Sequence, residues 1–239
     1  ALNNMGTMYL EMSDLTRAEK SFAEALKFYP SFSEAHNNLG HVLRLKGEAG
    51  AIHCFKNALI NKPNFKEAYL NIAAALQTTT FTKYDAEFDI VLLNLIKQNT
   101  LFKPRAISNA IYSFIKIIPD FLNIISIKRF ENLNQELNGV LTNLSNIELF
   151  IEFINLCPVS DLEIEFLLSK IRRAVLLNIA TVGNTHNIFK LLSAISSQCF
   201  LNEYVFTKGN DEIKALKGIE AKVAASLKNN IQPEVKDIL

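Results

Sequence analysis

The chain repeats itself near its start. Asn3-Asn4-Met5-Gly6 recurs as Asn37-Asn38-Leu39-Gly40, an offset of 34 residues. The match continues: Tyr9, Ala18, Phe22, Ala25 and Pro30 correspond to Leu43, Ala51, Phe55, Ala58 and Pro63, and the second unit is one residue shorter at Gly47-Glu48-Ala49-Gly50. A period of this length narrows the possible folds sharply. Each unit is one supersecondary element that cannot bury its apolar face alone, so neighbours must stack. Gly6, Gly40, Ala18, Ala25, Ala51 and Ala58 are small residues where two antiparallel helices approach closely, and Tyr9, Phe22, Leu43 and Phe55 fill the space beside them. Pro30 and Pro63 follow a helix that they cannot continue, so they mark the joints between units.

A third unit begins at Lys66 and keeps Tyr69, Asn71, Ile72, Ala73 and Leu76 in register. It then departs. Thr78-Thr79-Thr80-Phe81-Thr82 replaces the short turn, and no proline closes a second helix near Lys97. Thr82-x-x-Asp85 reads as a capping-box start for a helix from about Lys83 to Gln98. Ala1 already lies within a first helix of the repeat, which points to a segment of a longer protein.

These residues resemble the tetratricopeptide repeat, in which small and large apolar positions recur in register. The resemblance implies an all-α fold of helical hairpins forming a short right-handed superhelix, followed by a helical extension or helical domain. Residues 1–98 would hold two complete repeats and one degenerate repeat, and residues 99–239 an all-α region of another kind.

Beyond Asn99 the period is lost but the helical signals persist. Pro104 and Pro119 suit first-turn positions. Ser145-Asn146-Ile147-Glu148 and Ser160-Asp161-Leu162-Glu163 read as capping boxes. After the second, Leu162, Phe166, Leu167, Ile171, Ala174 and Val175 trace one helix face. A further helix is expected over about Thr185 to Phe206, burying Ile188, Leu191, Leu192, Ile195, Cys199 and Phe200, and a last one over about Asp211 to Leu227. No run alternates with period two long enough for a sheet.

Two stretches carry a second resemblance. Asp161-Leu162-Glu163 with Leu167, Ile171-Arg172-Arg173 and Leu176-Leu177, then Gln198-Cys199-Phe200-Leu201-Asn202-Glu203-Tyr204-Val205-Phe206, resemble the helical region of certain bacterial proteins. In those, tetratricopeptide repeats precede a class I S-adenosylmethionine-dependent methyltransferase domain. The resemblance implies that any catalytic domain lies outside these residues.

Chemistry is hard to find in the chain itself. Eight glycines provide no G-x-G turn, and there is no P-loop, H-E-x-x-H or G-x-S-x-G. No enzymatic activity and no cofactor are therefore expected of these residues. His53 and Cys54 are adjacent and point different ways on a helix, while His186 reads as a loop or helix-start residue. Cys54, Cys157 and Cys199 are far apart, which argues against both a disulfide framework and a zinc site and suits a reducing, cytoplasmic setting. Twenty-five basic residues stand against 24 acidic ones. The signs are mixed along the chain, so neither nucleic acid nor an anionic membrane is an expected partner. The apolar stretch from Ile111 to Ile127 is interrupted by Lys116, Pro119 and Asp120, too early to span a bilayer.

What remains is a row of asparagines. Asn4, Asn38 and Asn71 each stand two residues before the small residue of a repeat, at Gly6, Gly40 and Ala73. In tetratricopeptide scaffolds the first helices line the concave face, and the resemblance implies that this position points into it. An asparagine amide offers a donor and an acceptor, the complement of a peptide backbone. Asn37, His41 and Arg44 stand near enough in sequence to supply selectivity. The leading expectation is a scaffold that holds an extended protein or peptide in a groove. The alternatives are a solvated polar face, or the substrate-presenting arm of a methyltransferase or other transferase. The asparagines also resemble the repeats that precede protein glycosyltransferase domains. The lysines that clamp acidic C-termini in the repeat family are not matched here.

Overall fold

A computed structural model describes residues 1–48, 50–126, 133–183, 185–201 and 209–229. Thirteen α-helices and two short 3-10 turns account for most of them, with no strand among the described residues. The chain divides into two compact units, Ala1–Phe114 and Ile115–Leu239.

The first unit comprises α1 (Leu2–Glu11), α2 (Leu15–Phe28), α3 (Ser33–Lys46), α4 (Ala51–Asn61), α5 (Lys66–Leu76), α6 (Ala86–Lys97), a 3-10 turn at Pro104–Ile107 and most of α7 (Ser108–Ile115). Each helix from α1 to α4 packs on the next, while α3 also neighbours α1 and α5, and α4 touches α6. The close approaches fall where the glycines stand. A Cβ at Gly6 would lie 2.6 Å from Cε1 of Phe22, and one at Gly40 would lie 2.7 Å from Cε1 of Phe55. Both rings are fully buried, and Phe22 clusters with Ala18 and Val42 beneath Tyr9, Leu10, Leu15 and Leu39.

The turns repeat as well. Ser13, at φ 60°, ends α1, and Gly47, at φ 70°, ends α3 34 residues later. In both turns the next amide donates back into the helix, Asp14 N–H to the Tyr9 carbonyl (2.8 Å) and Glu48 N–H to the Leu43 carbonyl (2.9 Å). The proline joints have a shared fastening too: His36 Nε2 donates to the Pro30 carbonyl at 2.7 Å, and the Tyr69 hydroxyl donates to the Pro63 carbonyl at 3.0 Å. His36 thus anchors the preceding joint.

The third unit starts its second helix later than the sequence suggests. Residues 82–85 are not helical, and Asp85, not Thr82, is the N-cap, accepting from the amides of Glu87 and Phe88. Phe81 packs edge-on against Phe114 at 5.3 Å and lies 5.1 Å from Phe88, while its amide donates to Ser113 Oγ at 3.0 Å.

The second unit contains α8 (Pro119–Ser126), α9 (Leu133–Ser145), α10 (Glu148–Leu156), α11 (Leu162–Leu177), a 3-10 turn at Ile179–Thr181, α12 (His186–Leu201) and α13 (Asn210–Lys228). Helix α9 is central and packs on α8, α10, α11 and α12; α10 also packs on α12, and α13 on α11. Pro104 and Pro119 each open their element, as first-turn prolines should. Three expectations are corrected. Ser145 ends α9 and donates to the Thr142 carbonyl at 2.8 Å, and α10 starts after Ile147 without a side-chain cap. Asp161, not Ser160, caps α11, accepting from the amides of Glu163 and Ile164. The buried face of α11 is Ile164, Leu167, Leu168, Ile171 and Ala174, whereas Leu162 is 81% exposed and Phe166 50%. The last residues of the helix expected through Phe206 lie outside the described residues. In α12 Ile188, Leu191 and Ile195 are buried as expected, joined by Ala194 and Gln198, while Leu192 and Cys199 are half-buried.

Candidate functional site

Every asparagine of the row lies on a first helix of the first unit, since α1, α3 and α5 carry Asn4, Asn38 and Asn71. Asn4 is exposed, and Asn38 and Asn71 are half-buried. The last two are not free-standing. Asn38 Nδ2 donates to Oδ1 of Asn3 at 3.2 Å, and Asn71 Nδ2 donates to Oδ1 of Asn37 at 2.9 Å. Both bonds run the same way, from the later unit's amide nitrogen to the earlier unit's amide oxygen. The result is a row of side-chain pairs that stitches consecutive first helices together. Asn37, 7% exposed, is part of this seam, in keeping with the rule that buried polar groups find partners.

Between α3 and α5 the seam borders a shallow concavity of about 310 Å³, lined by Asn37, Asn38, His41, Glu67, Leu70 and Asn71. Four of the six residues singled out in the sequence, Asn37, Asn38, His41 and Asn71, therefore share one hollow. Asn4 and Arg44 do not line it. Burial, reinforced by the nearby Arg44 guanidinium, pushes the His41 imidazole below its ordinary pKa and so favours the neutral ring. Its Nδ1 is buried with no hydrogen-bond partner. Glu67 in the first turn of α5 and Leu70, which is 47% exposed, were not singled out by sequence reasoning. Only their places beside Asn71, Glu67 one turn before it and Leu70 next to it, mark them.

A second hollow of about 590 Å³ lies where the third unit departs from the repeat, lined by Gly50, Ile52, His53, Lys56, Phe81, Lys83, Tyr84, Asp85, Phe88 and Phe114. The Lys56 ammonium is already engaged there, 2.7 Å from Asp85 and 3.1 Å from Glu87. His53 lines this hollow, while Cys54 is buried and its thiol is pushed up to about 11 by desolvation, which leaves it protonated and unreactive near neutrality.

In the second unit the distinctive stretch beginning at Gln198 contains a structural fastening. The Gln198 side chain is 2% exposed. Its Oε1 accepts from the Val159 amide at 2.9 Å, and its Nε2 donates to the carbonyls of Ile154 and Cys157. One amide thus pins the α10–α11 connection onto α12. His186 opens α12.

No group of three or more histidine, cysteine, aspartate or glutamate side chains that could hold a metal ion occurs among the described residues. Likewise, none of the described helices is long and apolar enough to cross a membrane. No protein-family model matches the chain, and a search of curated proteins found no match.

Proposed function

We propose that the first unit is a tetratricopeptide-type scaffold, its hairpins forming a short right-handed superhelix that binds an extended polypeptide along α1, α3 and α5. The observation that carries this reading is the asparagine seam. Asparagines recur at the repeat period, pair across neighbouring units and border a hollow on the first-helix layer. A side chain kept only as a solvated polar group has no reason to recur at that period with that pairing. With one amide hydrogen of Asn38 and Asn71 committed to the preceding unit, each still has Oδ1 and a second hydrogen for a peptide unit. Each such bond contributes roughly 0.5–1.5 kcal/mol net.

The test is affinity selection from a random peptide library on the 239-residue chain, followed by Asn38→Ala and Asn71→Ala. Each substitution should weaken unrelated selected peptides by similar factors of about three- to tenfold, because the backbone is common to all. Unchanged affinities with the fold intact would leave the asparagines as a structural seam alone.

A second reading rests on the residue likeness of Asp161–Leu177 and of the stretch from Gln198: the scaffold would present its polypeptide to a methyltransferase or other transferase domain. On that reading these 239 residues bind no S-adenosylmethionine themselves. Calorimetry with the cofactor should be flat, and a saturable heat would count against it.

A further inference from the structure

The hollow between α3 and α5 is unbalanced in its hydrogen-bonding capacity, and the imbalance says what kind of group it would take. Asn38 and Asn71 each spend an amide hydrogen on the preceding unit, while their Oδ1 atoms accept nothing from the described residues. Glu67 adds a carboxylate that forms no ion pair among the described residues, and no lysine or arginine lines the hollow. The neutral His41 brings no positive charge. The lone pairs of these amide oxygens and of the Glu67 carboxylate exceed the amide hydrogens left on Asn37, Asn38 and Asn71, and the one net charge on the lining is negative. Leu70, exposed to 47%, adds an apolar wall beside them.

Resting on the polypeptide-binding reading above, we propose that this hollow is a side-chain pocket for an arginine of the bound polypeptide. Guanidinium has five N–H donors and no acceptor in a planar fork, which complements two amide oxygens and a carboxylate. Its three-methylene stem gains an apolar surface at Leu70, as long cationic side chains do when the stem lies on a hydrophobic wall and the head stays polar. The volume of about 310 Å³ accommodates one such side chain. A carboxylate or phosphate ligand would meet the Glu67 charge with no cation on the lining to offset it. A large aliphatic side chain would leave those acceptors without partners. Specificity at this position thus comes from Glu67 and the amide oxygens, while the second amide hydrogens of Asn38 and Asn71 stay free for the peptide backbone.

The experiment uses four fluorescent peptides that differ at one central residue in a Ser-Gly background: arginine, citrulline, alanine and glutamate. Citrulline keeps the shape of arginine and removes its charge. Anisotropy titrations with the 239-residue chain should rank arginine about tenfold or more above citrulline and alanine, with glutamate weakest. Glu67→Gln should remove most of the arginine advantage and leave the alanine peptide unchanged, since Glu67 is exposed and an alanine side chain does not reach for its charge. Equal affinity for all four peptides would overturn the arginine pocket while leaving the backbone-binding reading in place. Binding of none of them would overturn both. An arginine advantage that survives Glu67→Gln would place the pocket elsewhere and overturn this assignment.

Discussion

Asn71 reaches back one unit and donates its amide hydrogen to Oδ1 of Asn37 at 2.9 Å. Asn38 does the same to Asn3. This is a polar fastening between helices whose buried faces are otherwise apolar at Ala35, Val42, Ala68 and Ile72. The pair should therefore couple neighbouring units thermodynamically. In a double-mutant cycle of Asn37→Ala and Asn71→Ala, urea unfolding should give a coupling energy of about 0.5–1.5 kcal/mol, the net value of one intramolecular hydrogen bond. Strict additivity of the two substitutions would show that the bond adds nothing to stacking.

The close crossing at Gly40 is the next test. Gly40 has no room for a methyl group, since an added Cβ would lie 2.7 Å from the Phe55 ring and 3.1 Å from the Ala51 carbonyl oxygen. Gly40→Ala should destabilise the unit by about 1–3 kcal/mol through overpacking, despite alanine's better helix propensity. Phe55→Leu should recover part of that loss in the double variant, because it removes the atoms that clash. An unchanged thermal midpoint for Gly40→Ala would mean that α3 and α4 do not cross where the repeat register puts them.

A third expectation concerns the turns. Ser13 holds φ 60° where the equivalent residue of the next unit is Gly47 at φ 70°. An L-residue with a side chain carries a cost of roughly 1–2 kcal/mol in that region, and glycine carries none. Part of the gain is offset by glycine's greater freedom in the unfolded chain. Ser13→Gly should therefore raise stability by about 0.5–1 kcal/mol and Gly47→Ser should lower it by a similar amount. Opposite signs from the two swaps are the observation to look for in matched denaturant curves.

What could be read from the sequence follows from which interactions are local or periodic. Gly6 with Phe22 and Gly40 with Phe55 recur at a fixed spacing, so the close crossings were legible before any coordinates. The phase of α11 was not. Leu162 and Phe166 lie on one apolar stripe of that helix and Ile164, Leu167, Leu168 and Ile171 on another, so two faces satisfy the three- and four-residue spacing and only packing on α9 and α13 chooses between them. Caps slipped by a few residues for a similar reason: Thr82 and Ser160 precede a better acceptor at Asp85 and Asp161. The seam was half legible. The row of asparagines is visible, but the pairing of residues 34 or 35 apart arises only when the units stack. Glu67 and Leu70 gain their meaning from the same stacking, which sets them opposite Asn37, Asn38 and His41.

The last prediction joins a cap to a buried cation. Lys56 is 6% exposed, and its ammonium is held by Asp85 at 2.7 Å and Glu87 at 3.1 Å. In the second unit Lys116 meets Asp161 at 2.7 Å and Glu163 at 2.9 Å, the same Asp-x-Glu helix start docked by a lysine from elsewhere in its unit. Such a cation fixes where the helix begins, because the capping carboxylate serves the first amides and the ammonium at once. Burial opposes ionisation of Asp85, but hydrogen bonds from Lys56 and from the Phe88 and Glu87 amides outweigh it and hold the carboxyl below its ordinary value. For a carboxyl depressed in the folded state, the associated stability is fully present above the unfolded value, about 3.9, and is lost as pH falls through the folded one. Asp85→Asn keeps an N-capping oxygen and removes the charge, leaving Lys56 with Glu87 alone. The variant should be less stable than the parent at pH 7, and the gap should close in urea titrations as the pH is lowered from 5 towards 2. A gap that stays constant over that range would mean that the ion pair contributes nothing and that Asp85 acts only as a cap.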